Sequence, residues 1–263
     1  VHEPALPDLL EPALLEAEGF HYTGSTPLGL LTTRNKALSK KVLAYHGIQV
    51  PGFVTYRLTD DVETDPDLRY PMIVKPNQED ASIGIAQASV VWDMDQLKER
   101  VAFVHDTFHQ SAIAEEFIDG RELYVGILGN ADELKILPIV EMVFDKQRTK
   151  PEERIATRQA KWHVGYRERK GIRNVFARPI AKEPKKRIAE ICRTAFRALW
   201  LRDYARLDVR LTDDNEVWVI EANANPFISY GHDMANAAEK AGMNYQAFIE
   251  RIAKEAWKRY DQA

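Results

Sequence analysis

The chain has 263 residues, 45% of them apolar and 29% charged, with a net charge of −4, which is enough to bury one large core or two modest ones. No apolar run approaches the roughly 20 residues that a membrane helix needs, no leader is expected because no basic-then-apolar pattern opens the given residues, and the charge gives no global case for nucleic acid or membrane partners. The single cysteine, Cys192, excludes an internal disulfide, so a reducing cytoplasm is the expected location and a small core hydrophobe is its expected role.

In chain order, residues 12–18 read as a short helix closing at Gly19, and 22–24 lead into a loop. Residues 35–45 set Lys36, Lys40 and Lys41 among Ala37, Leu38, Val42 and Leu43, a helix with Gly47 as its stop signal. An extended segment follows over 51–56. Residues 70–75 and 83–92 predict two strands bracketing the loop 76–82, and Asp93 N-caps a helix to about His109. Residues 112–118 and 121–129 predict a hairpin through Asp119 and Gly120, with a further strand over 134–144. The segment 145–173 carries ten Lys and Arg against four Asp and Glu, little apolar periodicity, Gly165 and Gly171. It reads as a mobile lid whose surplus of arginine suggests an anionic second substrate. A helix over 184–201, a hairpin and two C-terminal helices complete the chain. Strands that meet mostly through hairpins imply α+β architecture with antiparallel sheets.

The late hairpin carries the strongest chemical signal. Ala205, Leu207, Val209 and Leu211 alternate with Arg206, Asp208 and Arg210, and a second strand follows over 217–223. A two-residue turn at Asp214 and Asn215 places Asp208 opposite Glu221 and Arg206 opposite Asn223. Opposed carboxylates about 5 Å apart repel by roughly 3 kcal/mol at an effective dielectric of about 20. Little except a metal ion explains that pair, and two carboxylates with an amide suit Mg²⁺ and a polyphosphate. A longer turn would lose the opposition.

Further motifs are weaker singly. Val74-Lys75-Pro76 and Ser82-Ile83-Gly84 put a lysine at a strand end before a loop able to lay N–H groups over phosphates. Glu115-Glu116-Phe117-Ile118 and Gly120-Arg121-Glu122 supply apolar walls with acceptors, and Ala160-Lys161-Trp162 lies within the basic segment. In this order, with Tyr22-Thr23-Gly24-Ser25, Asn35-Lys36, Arg206-Leu207-Asp208 and Glu221-Ala222-Asn223, the pieces resemble the ATP-grasp superfamily, most closely its D-alanine-D-alanine ligase branch. The resemblance implies two α+β subdomains gripping ATP, a small one over 31–112 and a C-terminal one over 113–263, with 1–30 a remnant or linker of an N-terminal domain. It implies ATP phosphates on Lys36, Lys75 and the Ser82 loop, and adenine at the hinge of Glu115, Glu116, Phe117 and Ile118. It also implies ribose on Glu122, and two Mg²⁺ ions, or Mn²⁺ in their place, on Asp208, Glu221 and Asn223. Arg206 and Lys161 would be catalytic, and the reaction would join small-molecule carboxylate and amine substrates through an acyl phosphate; a homodimer is allowed.

Departures cluster on the substrate side. Asp80 and Ala81 stand where the D-alanine enzymes have glycine and serine, Phe227 stands where they place a glycine after Asn225-Pro226, and Trp162 replaces a frequent tyrosine. The expected function is therefore an ADP-forming carboxylate ligase without commitment to D-alanine. A degenerate ATP-binding module and a ligase for an acidic or peptide-like substrate are the alternatives.

Overall fold

The computed structural model describes residues 7–261 apart from 64 and 132. It begins with helices α1 (Pro7–Ala17), α2 (Pro27–Arg34) and α3 (Lys36–Tyr45). Helix α2, absent from the sequence reading, has ordinary start signals: Thr26 accepts from the Gly29 N–H at 2.9 Å and Pro27 opens the first turn. Asn35 ends α2 and caps α3 by accepting from the Leu38 N–H at 3.0 Å.

Strands β1 (Phe53–Tyr56), β2 (Met72–Pro76), β3 (Val90–Val91) and β4 (Ala112–Glu116) form an antiparallel sheet in the order β1-β4-β2-β3. Helix α4 (Met94–Phe108), capped by Asp93, lays Leu97, Val101 and Val104 on Met72, Val74 and Ala114. The strand expected over 83–92 shrinks to β3. Its first half turns back on itself, with Ile83 N–H donating to the Asp80 carbonyl and Ile85 N–H to that of Ser82.

A second sheet has the order β10-β9-β5-β7-β8, with β6 on β5. Its strands are β5 (Arg121–Leu128), β6 (Lys135–Ile136), β7 (Val140–Val143), β8 (Arg173–Phe176), β9 (Tyr204–Leu211) and β10 (Val217–Asn223). The single strand expected over 134–144 is broken between β6 and β7, where Pro138 has no N–H to give a ladder. The expected hairpin of 112–118 with 121–129 does not form. β4 pairs with β1 and β2 whereas β5 pairs with β7 and β9, so the chain crosses between sheets after Glu116 and the boundary at 112/113 would cut β4. Gly120 makes that crossing at φ +155°, and a Cβ there would lie 2.6 Å from the Leu211 carbonyl oxygen.

One face of the larger sheet packs Leu123, Val125, Leu207 and Val209 against Ile188, Cys192 and Phe196 of helix α7 (Lys182–Ala198). Burial pushes the Cys192 thiol up to about 12, as suits an unreactive core group. The opposite face meets α8 (Asp233–Lys240) and α9 (Tyr245–Asp261) through Met234, Phe248 and Ile252, but only over its far part. Among the described residues, no helix is long and apolar enough to cross a membrane.

Candidate functional site

Alternation along β9 sends Arg206, Asp208 and Arg210 to one face. Asp208 lies between Glu221 of β10 and Tyr124 of β5, Arg206 between Asn223 and Gly126, and Arg210 between Trp218 and Glu122. The opposition of Asp208 to Glu221 matches the sequence expectation, but its cause differs. The turn is longer than two residues: Thr212 and Glu216 close it by a 3.0 Å backbone hydrogen bond, and Asn215 is left-handed at φ +66°. A bulge at Ile220 then shifts the pairing back by one residue. The Ile220 carbonyl accepts from Lys40 Nζ at 2.8 Å.

Three cations stand beside the two carboxylates. Arg206 grips Asp208 with two hydrogen bonds of 2.6 and 3.0 Å, Lys161 Nζ is 3.8 Å from Asp208 Oδ2, and Lys36 Nζ is 3.1 Å from Glu221 Oε1. These contacts offset the carboxylate repulsion, so the pair does not require a metal to exist, which corrects the sequence argument. Among the described residues, no three His, Cys, Asp or Glu side chains converge as a ligand cluster. The oxygens of Asp208, Glu221 and Asn223 still form a hard donor set on neighbouring positions of one face, which fits Mg²⁺ sharing its shell with phosphates.

Burial drives the Glu221 carboxyl up, but Lys36, Lys75 and Lys161 outweigh it and hold it down at about 2. Because that lies below the ordinary 4.5, its stabilising contribution is complete above about pH 4.5 and is lost as pH falls toward 2. Urea unfolding across that window should show a loss of up to ~3 kcal/mol from this group, less for the fifth of the side chain that is exposed. Glu141, held at about 2 against burial by Arg121 and Arg178, titrates in the same window. The check is therefore a shallower acid slope in Glu221→Gln than in the parent; identical slopes would contradict the assignment.

A second buried ion cluster lies alongside. The Glu115 carboxylate sits 3.4 Å from Lys40 Nζ and 3.0 Å from Lys75 Nζ, with all three residues nearly inaccessible. Burial lowers the Lys40 ammonium to about 8, with Glu115 opposing and Lys75 reinforcing the shift. On the neighbouring row Glu122 pairs with Arg210 at 2.5 Å, and Arg210 also donates to the Gly120 and Arg154 carbonyls at 3.0 and 2.9 Å.

The loop after β2 holds Ala81 and Ser82 consecutively in the left-handed region, at φ +54° and +62°. Non-glycine residues there cost roughly 1–2 kcal/mol each, a strain typical of functional loops. The basic segment lies against this loop: Ser82 Oγ donates to the Ala156 carbonyl at 2.6 Å and Trp162 Nε1 to that of Ala81 at 3.4 Å. It is more ordered than its sequence suggests, folding into α5 (Arg158–Trp162) and α6 (Val164–Lys170). Much of its charge is used locally, as in Arg148 with Asp145, Lys170 with Glu153 and Arg167 on the Ala160 carbonyl, which weakens the case for an anionic substrate.

Two cavities meet here. A small one between the sheets is lined by Lys75, Ser82, Phe117, Glu122 and Asp208. An open one of about 1540 Å³ is lined by Tyr124, Trp162, Arg206, Asn223 and Phe227. Lys161 and Glu221 line both. Over residues 42–254 the chain matches the family model described as the D-ala D-ala ligase C-terminus. It belongs to that family.

Among relatives, the chain is 35% identical over 249 residues to the uncharacterized protein y4sG of Sinorhizobium fredii, covering 95% of this chain and 70% of that one. It is 29% identical over 243 residues to a D-alanine–D-alanine ligase of Bordetella petrii, covering 92% and 70%. Its fold superposes with TM-score 0.78 on the D-alanine–D-alanine ligase of Bacillus anthracis complexed with ATP, at 23% identity over 96% of this chain and 76% of that one. The VanG D-Ala:D-Ser ligase of Enterococcus faecalis gives 0.79 at 22% identity, over 95% and 69%. The architecture is thus the α+β ATP-grasp fold of the D-Ala-D-Ala ligases.

Set on that family frame, Lys75, Ser82, Glu116, Phe117, Ile118 and Glu122 all line the small cavity, and Lys36 reaches its edge through Glu221. Glu115 lines it too, with its carboxylate turned onto Lys40 and Lys75 as a buried counter-ion. Lys161 and Arg206 converge on Asp208. Sequence reasoning passed over Lys40, Arg210 and Tyr124. Lys40 was visible as the residue one helical turn from Lys36 on the same face, and Arg210 as the next outward position after Asp208.

Proposed function

We propose that the chain is an ATP-dependent, ADP-forming carboxylate-amine ligase. ATP phosphorylates a substrate carboxylate, and an amine then attacks the acyl phosphate, releasing phosphate and forming an amide. The observation that carries this reading is the meeting of the two cavities at Lys161 and Glu221, with Arg206 and Asp208 alongside. Nucleotide on one side and substrates on the other would share that cationic junction. Lys36 and Lys75 would neutralise the phosphates, the Ser82 loop would cover them, and Glu122 would hold the ribose. Arg206 and Lys161 would stabilise charge on the transferred phosphoryl group, chemistry that depends mainly on position and electrostatics. Bound at Asp208, Glu221 and Asn223, Mg²⁺ would supply further neutralisation of phosphate charge.

Mg-ATP at about 100 times its dissociation constant should raise stability by roughly 2.7 kcal/mol. ADP release should then appear with a restricted set of amino acids or amino-acid pairs. A melting curve unmoved by saturating Mg-ATP would defeat the reading. A non-catalytic ATP-binding module is the second reading, favoured by Phe227 at the position where the resemblance implies a glycine, and it predicts the melting shift without ADP release under any substrate.

A further inference from the structure

The larger cavity, which Arg206 and Asn223 line, also has an aromatic wall. Trp162 and Phe227 meet edge to face with centroids 5.5 Å apart, and His232 stacks on Phe227 at 5.3 Å and 24°. All three line the cavity, yet Trp162 is 46% and Phe227 55% exposed. Chain geometry keeps this surface near the proposed reaction centre. Trp162 follows Lys161, which reaches Asp208, and Phe227 follows Asn223 by four residues. The indole donates to the Ala81 carbonyl at 3.4 Å, which ties one side of the stack to the loop after β2.

Three polar side chains of the same cavity are matched to one another. Asn174 donates to both Asp233 oxygens at 3.1 and 2.9 Å and accepts from Arg167 at 3.2 Å. They leave the aromatic platform as the surface with most to gain from a ligand. A methyl-sized side chain would leave most of it wet, whereas a ring or branched chain would bury it at the geometry aromatic pairs favour.

We propose that one of the two ligated substrates presents an aromatic or bulky apolar side chain to the Trp162, Phe227 and His232 stack. This rests on the ligase reading, and its test uses binding so that the two can fail separately. Isothermal titration with Mg²⁺ and a non-hydrolysable ATP analogue would compare phenylalanine, leucine and alanine, each as both enantiomers, with glycine. Phenylalanine or leucine in one configuration should bind at least ~10-fold tighter than alanine. Phe227→Ala should abolish that ratio while leaving the Mg-ATP melting shift unchanged. Equal affinity for alanine, a ratio that survives Phe227→Ala, or no binding by any of these amino acids would overturn the proposal. A dimer that Phe227→Ala dissociates, without amino-acid binding, would assign the stack to a subunit interface instead and equally overturn it. A clear binding preference with no ADP release from any pair would count against the ligase reading alone.

Discussion

Replacing Glu115 by alanine is expected to lower the unfolding free energy by ~3–5 kcal/mol, because it strands two buried ammonium groups. Lys40 and Lys75 flank the carboxylate at 3.4 and 3.0 Å, and neither side chain is more than 4% exposed. Lys40 keeps a hydrogen bond to the Ile220 carbonyl, which limits but does not cancel the loss. The same substitution made in Lys40→Met should cost less, since only one ammonium is then unpaired; a double-mutant cycle in urea measures the difference. Equal costs in the two backgrounds would mean that the cluster is not coupled as its geometry implies.

Asp208→Asn and Glu221→Gln should each reduce ADP formation by about 10³-fold or more, the scale associated with removing preorganised charge from a transfer site. Neither should stabilise the protein. Removing carboxylate repulsion alone predicts a gain, but Arg206, Lys161 and Lys36 are then left with weaker partners. A net loss of ~2 kcal/mol is expected for Asp208→Asn, whose neighbour Arg206 is a nearly buried guanidinium. Turnover close to the parent in either variant would remove these residues from the reaction, and a raised melting temperature would show that repulsion dominates after all.

Alternation was enough to read the α+β class and to set Asp208 by Glu221 with Arg206 on the same strand, while Lys36, Lys75 and Lys161 joined that neighbourhood only through the family resemblance. What they missed depends on pairings that no local pattern encodes. Asp119 and Gly120 look like a hairpin turn, yet β4 and β5 serve different sheets, a choice made by their distant partners β2 and β9. Glu115 and Glu116 are adjacent and chemically alike, and only the packed sheet decides that Glu115 meets two lysines while Glu116 meets Arg69 near the surface. The two helices of the basic segment were passed over because net charge says nothing about local pairing, and the caps at Thr157 and Gly171 are short-range signals that composition hides.

The bulge at Ile220 has a consequence for how this chain can change. In an unbroken hairpin the length of the turn sets which residues oppose one another, so an insertion at the tip would turn Glu221 away from Asp208. Here the register of the carboxylates is held beyond the bulge, by Glu221, Ala222 and Asn223 against β9 and by β9 against β5, while only three pairs lie on the turn side. The tip at 213–215 can therefore accept inserted or grafted residues without displacing the site, and deleting Ile220 itself would set Glu221 directly after Val219 in an unbroken ladder, still opposite Asp208.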